Sequence, residues 1–129
     1  MKIEFEKVEE LIGKTLTRID YDSEFEDEII FHLDNGDRYK MYHSQDCCES
    51  VTVDDINGDF EDLIGVPLLI AEEATNSEEN PEGVNIDWQE SFTWTFYKFA
   101  TIKGFVTIRW YGESNGYYSE SVYFEKISR

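Results

Sequence analysis

One short segment gathers the residue types that proteins use for metal binding and covalent catalysis. Residues 42–49 read Tyr-His-Ser-Gln-Asp-Cys-Cys-Glu, so a histidine, two cysteines and two acids lie close together. Thiolate and imidazole are preferred zinc ligands. A thiol with a histidine base and an acidic orienting group is the arrangement of a cysteine nucleophile. The candidate residues of this segment are Tyr42, His43, Asp46, Cys47, Cys48 and Glu49.

The pattern around the segment argues against both chemistries. A four-coordinate zinc site needs another ligand, and the one other histidine in the chain is His32. A hairpin with a two-residue turn at Asn35-Gly36 would pair His32 with Tyr39. At about 3.3 Å per residue, this pairing leaves the two histidines on the order of 13 Å apart, too far to share an ion. No flanking motif matches a known nucleophile, so we expect no metal, no cofactor and no catalytic residue.

The two cysteines are neighbours in the chain. A disulfide favours Cα atoms about 4.4 to 6.8 Å apart, whereas sequence neighbours are about 3.8 Å apart. We therefore expect Cys47 and Cys48 to be reduced thiols, as in a reducing compartment. The first ten residues lack the apolar stretch of a signal peptide, and no apolar run is long enough to span a bilayer. These features predict a cytoplasmic protein that does not bind membranes.

The net charge of −18 is unevenly distributed. Residues 20–28 and 72–90 contain acids and no base, whereas residues 91–129 are slightly basic. A negative field repels nucleic acid and attracts a basic protein surface. The alternative is that the surplus carboxylates only keep the protein soluble. The predicted acidic partner face comprises Asp20, Asp22, Glu24, Glu26, Asp27, Glu28, Glu72, Glu73, Glu78 and Glu79.

Two segments of the chain also recur later in the sequence. Residues 9–16 (EELIGKTL) recur as 61–68 (EDLIGVPL), and residues 49–56 (ESVTVDDI) recur as 120–127 (ESVYFEKI). Two ordered matches favour an internal duplication over chance. We predict one domain over residues 1–129, built from repeat units at about 6–56 and 59–127.

Each unit has the same predicted elements. A one- or two-turn helix ends at Gly13 or Gly65, and strands with a period of two follow. The Asn-Gly pair at 35–36 is a strong hairpin signal. The predicted strands are 15–21, 28–33, 38–43 and 49–53 in the first unit, and 67–74, 91–99, 105–111 and 120–126 in the second. The predicted fold class is α+β, predominantly antiparallel β, with two related four-stranded units and a polar loop at 75–87.

The duplication suggests a second kind of site. Residues 42–50 and 110–121 occupy equivalent places in the two units and would meet near a pseudo-twofold axis. The second loop supplies aromatic side chains, which with a few polar groups are typical of ligand pockets and interface anchors. The alternative is that they close the core. The aromatic residues of this loop are Trp110, Tyr111, Tyr117 and Tyr118.

The string YHSQDCCESV at residues 42–51 resembles a signature of small, uncharacterised proteins encoded by bacteriophages and some bacteria. The likeness extends over residues 8–127 and includes the LIG turns and the WYGESNGYYSESV segment at 110–122. It implies a phage-type accessory protein in the bacterial cytoplasm, where such proteins often bind and block host machinery.

These observations predict a non-enzymatic protein that engages a basic host protein, such as a defence or nucleic-acid-binding protein, through its acidic face. The alternative is a small-ligand protein that binds or sequesters a nucleotide or metabolite through the paired aromatic loops. The pattern leaves the oligomeric state open.

Overall fold

The computed structural model describes residues 6–86 and 88–127. Two 3₁₀ helices and eight strands follow one another in two similar series. The first series is η1 (Val8–Leu11), β1 (Leu16–Asp22), β2 (Glu28–Leu33), β3 (Arg38–Tyr42) and β4 (Ser50–Asn57). The second series is η2 (Phe60–Leu63), β5 (Ile70–Asn76), β6 (Ser91–Thr101), β7 (Gly104–Ser114) and β8 (Tyr123–Lys126).

The strands form two four-stranded antiparallel sheets in one domain. Sheet 1 has the order β1-β2-β3-β8, and sheet 2 has the order β4-β7-β6-β5. Among residues 6–86 and 88–127, only short 3₁₀ helices accompany them. The predicted fold class is therefore confirmed.

The fourth strand of each series lies in the sheet of the other. β8 pairs with β3, where Met41 lies opposite Phe124, and β4 pairs with β7, where Val53 lies opposite Trp110. The sequence pattern had assigned each fourth strand to its own unit, so the structure corrects that pairing. The exchange buries Phe124 against the aromatic side chains of sheet 1, with ring centroids 5.1 Å from Tyr39 and 6.0 Å from Phe31.

The two series also contact each other reciprocally where their first strands begin. The Gly13 N–H donates to the Leu68 carbonyl (2.8 Å), and the Gly65 N–H donates to the Leu16 carbonyl (2.9 Å). Under the 52-residue shift of the sequence repeat, Gly13 is equivalent to Gly65 and Leu16 is equivalent to Leu68. Both glycines have positive φ (86° and 88°), which other residues adopt only with strain. The reciprocal contacts support the duplication, which stays a prediction.

The hydrophobic core lies between the inner faces of the two sheets. Phe31 on sheet 1 contacts Phe99 on sheet 2, with ring centroids 5.4 Å apart. Burying one such side chain stabilises the fold by about 1.5–3 kcal/mol. The core also includes Val8 and Leu11 of η1 and Leu63 of η2, so each short helix closes one part of it.

The hairpin between β2 and β3 differs from the prediction by one residue. His32 lies opposite Arg38, not Tyr39, because Leu33 pairs with Asp37 across a turn of three residues, 34–36. Leu33 N–H donates to the Asp37 carbonyl (2.9 Å), and Gly36 N–H donates to the Leu33 carbonyl (3.1 Å). Gly36 has a φ of 92°, which the Asn-Gly signal anticipates. The longer turn keeps Tyr39 in the core and places His32 outside.

The polar loop that precedes β6 is held against the outer face of sheet 2. Asn80 and Gln89 exchange two side-chain hydrogen bonds of 3.0 Å each. The Asn80 Oδ1 atom also accepts a hydrogen bond from the indole of the buried Trp94 (3.0 Å). Gln89 Nε2 donates to the Tyr111 hydroxyl (2.7 Å). Asn80 is thus the residue through which the loop covers Trp94.

We expect Asn80→Ala to lower the free energy of unfolding by about 1–3 kcal/mol, because the buried Trp94 indole loses its acceptor. Urea unfolding measures this change, and limited proteolysis should detect easier cleavage within residues 77–90. Asn115→Ala is the matched control, because Asn115 accepts only from an exposed backbone N–H, that of Tyr117. Equal effects of the two substitutions would show that Asn80 does not fasten the loop.

Candidate functional site

The segment between β3 and β4 is organised around a buried histidine–glutamate pair. His43 Nε2 lies 2.9 Å from Glu49 Oε2, and both side chains are buried. His43 Nδ1 lies 2.7 Å from the carbonyl oxygen of Ser121, in the chain that leads into β8. The ring nitrogens thus face an acceptor on each side, a carbonyl at Nδ1 and a carboxylate at Nε2. His43 therefore ties together the two chain segments that cross between the sheets.

Glu49 accepts further hydrogen bonds from its own loop. The backbone N–H groups of Asp46 and Cys47 donate to its carboxylate at 2.9 Å each, and the Gln45 side chain lies at 3.3 Å. Burial by itself raises the pKa of Glu49, but the hydrogen bonds from His43, Cys47 and Asp46 outweigh it and lower the pKa to about 2. Glu49 is thus an ionised anchor that fixes the loop.

This geometry does not assemble a nucleophile. His43 uses both ring nitrogens for Glu49 and Ser121, so it has none left to activate Cys47. The structure joins Cys47 and Cys48 in a disulfide, which corrects the expectation of reduced thiols. Over residues 6–86 and 88–127, no group of three or more His, Cys, Asp or Glu side chains could hold a metal ion.

The equivalent loop of the second series also has a glutamate at its centre. Glu120 accepts hydrogen bonds from Ser114 (2.5 Å) and Thr93 (2.8 Å). Glu49 and Glu120 are the first residues of the two repeated ESV strings, so the repeat marks a loop-anchoring carboxylate. The anchoring role of Glu120 could not be read from the sequence alone.

The strand pairing also fixes the correspondence between the two loops. Met41 lies opposite Phe124, and Trp110 lies opposite Val53. Because Val53 and Phe124 are equivalent under the 71-residue shift, Met41 and Trp110 are equivalent too. His43 therefore corresponds to Gly112. A Cβ atom at Gly112 would lie 2.8 Å from the Glu120 carbonyl oxygen, so the backbone fills the space that a side chain would need.

The four predicted aromatic residues have separate environments. Trp110 is buried in the core, and its indole nitrogen has no hydrogen-bond partner among the described residues. Tyr111 is half-buried on the outer face, where its hydroxyl donates to Glu113 (2.9 Å). Tyr118 is half-buried, and Tyr117 is almost fully exposed. Trp110 is therefore a core residue, as the alternative interpretation expects. The four side chains do not form one wall.

Tyr42 also lies apart from the loop that follows it. Its hydroxyl donates to Glu125 on β8 (3.0 Å), and the Lys40 ammonium lies 4.5 Å from its ring centroid. Burial, followed by the hydrogen bond to Glu125, raises the pKa of Tyr42 to about 12. Tyr42 thus belongs to the outer face of sheet 1.

The two crossing segments do meet at a groove, but largely through other residues. A cavity of about 420 Å³ lies between residues 48–50 and 113–115. Trp88 and Glu90, from the chain before β6, complete its lining. Trp88 is 79% exposed, which is unusual for so large an apolar side chain. Of the ten predicted site residues, Cys48 and Glu49 contribute to this lining.

A second exposed aromatic residue borders the same segment between β3 and β4. Phe25, at the tip between β1 and β2, is 91% exposed. It shares a shallow cavity of about 230 Å³ with residues 49–52, so it lies beside the loop that also borders the Trp88 groove. Asp27 Oδ2 accepts a hydrogen bond from Val53 N–H (2.7 Å) and fastens the tip to β4. We call the surface formed by Phe25, residues 45–52, Trp88 and Glu90 the aromatic end.

Several acids of residues 20–28 have internal partners. Asp20 pairs with Arg18 (2.8 Å) and His32 (2.9 Å), and the hydrogen bond from Arg18 is the main cause that lowers the pKa of Asp20. Glu28 pairs with Lys40 (3.2 Å). The other four acids of this stretch lie at the end of β1 and in the tip that follows it, and two of them, Asp22 and Asp27, also accept hydrogen bonds. The four are Asp22, Glu24, Glu26 and Asp27.

The other four acids of the predicted face belong to sheet 2. Glu72 and Glu73 lie on the edge strand β5, and Glu78 and Glu79 follow it. Successive side chains of a strand point to opposite faces, so Glu72 and Glu73 do not share a surface. Charges on an edge strand also prevent pairing with other chains. The ten acids are therefore divided between two sheets.

Comparison with known proteins places most of the chain in one family. A family model described as a domain of unknown function, DUF7448, matches residues 9–124. The chain belongs to the DUF7448 family. The match runs from η1 into the first half of β8, so β4, both crossing segments and the aromatic end lie within the DUF7448 domain.

Neither the curated proteins nor the solved structures include a significant match. Within residues 6–86 and 88–127 of this DUF7448 chain, no helix has the length and apolar character needed to cross a membrane.

Proposed function

We propose that this protein is a non-enzymatic binding protein that engages a basic protein partner through the aromatic end. The resemblance of residues 42–51 to phage-encoded proteins supports the further proposal that it is a phage-type accessory protein. Its partner would then be a host-defence or nucleic-acid-binding protein, which it blocks in the bacterial cytoplasm.

The observation that carries the proposal is the pair of exposed aromatic side chains on one loop cluster. Phe25 and Trp88 each line a cavity that Glu49 and Ser50 also line, and both are more than three-quarters exposed. Large aromatic side chains at the centre of an interface supply most of its binding energy. Their exposure on a folded protein is therefore best explained by a partner that covers them.

The charge around these side chains selects the partner. Glu24 and Glu26 are exposed on either side of Phe25, and Glu90 and Glu113 line the Trp88 groove. Complementary charge increases the association rate and excludes partners of the wrong sign. A partner with Lys and Arg around an apolar pocket fits this surface, whereas DNA or RNA does not.

The test is affinity capture from bacterial lysate at low ionic strength, with paired variants. Phe25→Ala/Trp88→Ala should lose the captured protein, and Glu24→Gln/Glu26→Gln should weaken its capture and the salt dependence of binding. Ile102→Ala is the control for exposed apolar area, since Ile102 is 83% exposed at the opposite end of β6. Glu78→Gln/Glu79→Gln is the control for charge.

A discrete captured protein that is lost with both aromatic-end variants and retained with both controls would support the proposal. Absence of any captured protein, or equal capture by all variants, would contradict it. Loss of the captured protein with Glu78→Gln/Glu79→Gln alone would show that the acidic binding face lies on sheet 2.

The groove volume supports a second candidate function, small-ligand binding. About 420 Å³ falls within the range of ligand pockets. The carboxylates of Glu90 and Glu113 disfavour an anionic nucleotide and favour a neutral or cationic metabolite. A ligand screen that raises the melting temperature of the parent protein, but not of Trp88→Ala, would favour this function over protein binding.

A further inference from the structure

The disulfide at the aromatic end is a reactive group that the proposed function does not use. Cys47 and Cys48 are bonded to each other, and both residues are exposed. They are the two cysteines of the whole sequence, so any thiol chemistry of the protein takes place at this pair. Cys48 also lines the Trp88 groove. A change in the pair therefore changes a wall of that groove.

This disulfide is poorly placed to stabilise the whole fold. A disulfide stabilises a protein mainly by restricting the unfolded chain, and it does so more when it closes a longer loop. Cys47 and Cys48 are adjacent, so their bond closes the shortest loop that a chain allows. The pair also lies outside the strands, between β3 and β4. Its effect is therefore local.

The bond does fix the course of the segment that carries it. Adjacent side chains of an extended chain point to opposite faces, whereas a disulfide holds both sulfurs on one side. The chain bends at residues 47–48. In this bent form the Cys47 N–H donates to the Glu49 carboxylate (2.9 Å), and the Gln45 amide donates to the Glu49 carbonyl (2.7 Å). Breaking the bond frees the bend and weakens these contacts.

The two ends of the segment stay in place when its middle loosens. His43 is buried and its ring lies 2.7 Å from the Ser121 carbonyl oxygen. Val51 is buried on β4, where it lies opposite Gly112 of β7. Loosening is therefore confined to residues 44–50, which form part of the aromatic end, and leaves both sheets intact.

We propose that Cys47 and Cys48 form a reversible thiol–disulfide site that switches the aromatic end between an ordered and a loosened form. In the cytoplasm that we propose for this protein, disulfides are usually transient and serve catalysis or redox sensing. The functional consequence rests on the proposed function. The disulfide form, whose loop is already ordered, binds the partner more tightly than the reduced form.

The reaction is a two-electron exchange with a dithiol. One thiolate of the dithiol attacks a cysteine sulfur and forms a mixed disulfide, while the other cysteine leaves as a thiolate and takes a proton. The second thiol of the dithiol then attacks the mixed disulfide and releases the remaining cysteine as a thiol. The dithiol is oxidised to its own disulfide, and the Cys47–Cys48 pair is reduced. A disulfide oxidant reverses both steps.

Hydrogen–deuterium exchange of the full chain, with and without dithiothreitol, tests the inference without a partner. Reduction should speed exchange of the Asp46 and Cys47 amides, which donate to Glu49, by about tenfold. Fixing the backbone of one residue costs about the free energy of such a change. Oxidised glutathione should restore the slow exchange. Cys47→Ser/Cys48→Ser is the matched control and should resemble the reduced protein with or without dithiothreitol.

A stability measurement separates a switch from a structural cross-link. Reduction should lower the melting temperature by less than about 5 °C, because the bond restricts the unfolded chain so little. A larger fall would show that the bond holds the fold together and would overturn the inference. Unchanged exchange at residues 46–47 after reduction, or failure of the disulfide to form again, would also overturn it.

Binding measurements separate this inference from the proposed function. The protein captured from bacterial lysate should bind the oxidised parent about tenfold more tightly than Cys47→Ser/Cys48→Ser. Equal affinity for the two would overturn the switch and leave the proposed function standing. Absence of any captured protein would contradict the proposed function, whereas the exchange measurements would still decide whether the pair switches the aromatic end.

Discussion

Phe124→Ala is expected to lower the free energy of unfolding by about 3–5 kcal/mol, as large-to-small substitutions of buried aromatic residues do. Phe124 is 3% exposed and stacks on Tyr39 of sheet 1. It belongs to β8, which comes from the second series and completes the first sheet. A loss of this size is a large part of the total stability of a domain, about 5–15 kcal/mol.

A double-mutant cycle connects this loss to the exchanged strand. Phe124→Ala and Tyr39→Leu should be coupled by about 0.5–1.5 kcal/mol in urea unfolding, because each substitution removes the same ring contact. Phe124→Ala with Ile102→Ala is the control pair, since Ile102 is exposed on the β6–β7 turn. Additive effects of Phe124 and Tyr39 would contradict the pairing of β8 with β3.

Glu49→Gln is expected to destabilise the protein strongly at neutral pH and to make its free energy of unfolding depend less on pH in acid. An amide NH₂ in place of a carboxylate oxygen would face the donors Asp46 N–H, Cys47 N–H or His43. The substitution also leaves buried donors of the loop without a full set of acceptors, which costs stability. The ring of His43 would then keep the Ser121 carbonyl as its one unchanged partner among the described residues.

The pH dependence follows from the lowered pKa of Glu49. Its pKa is about 2 in the folded protein and 4.5 in an ordinary environment. A depressed folded-state pKa contributes stability above the unfolded value, and this contribution is lost as the pH falls from about 4.5 to about 2. The difference in unfolding free energy between the parent protein and Glu49→Gln should therefore narrow across this window.

Asp46→Asn is the matched control, because Asp46 is an exposed acid of the same loop. Chemical unfolding at several pH values measures all three proteins. A constant difference between the parent protein and Glu49→Gln from pH 5 to pH 2 would show that Glu49 is not the ionised anchor of the loop.

The sequence predicted the local structure well because local signals determine it. The period-two pattern identified all eight strands approximately, and Asn35-Gly36 marked the first hairpin. The register of that hairpin was wrong by one residue, because Asn-Gly occurs in longer turns as well as in two-residue turns. Such a difference depends on hydrogen bonds across the turn, which composition does not specify.

The exchange of the fourth strands was not predictable from the pattern. β4 and β8 have similar sequences, so alternation alone does not say which sheet each one joins. The choice depends on long-range contacts such as Phe124 with Tyr39 and His43 with Ser121. The ESV repeat marks two equivalent positions in the sequence, but only the structure shows that the two glutamates anchor their loops.

The sequence predicted where the candidate site lies but not which residues form most of it. The two crossing segments do border one groove, at residues 48–50 and 113–115. Phe25 and Trp88 were missed, because an isolated aromatic residue in an acidic segment carries no periodic signal. Their exposure is a tertiary property, since it depends on which neighbours fold over them.

Hydrogen–deuterium exchange of the complex with the captured partner tests the central claim most directly. The account predicts that binding slows exchange in residues 22–28, 45–52 and 88–91, and leaves the β6–β7 turn at Ile102 unchanged. Slowed exchange confined to residues 70–79, or found only at the Ile102 turn, would contradict binding through the aromatic end.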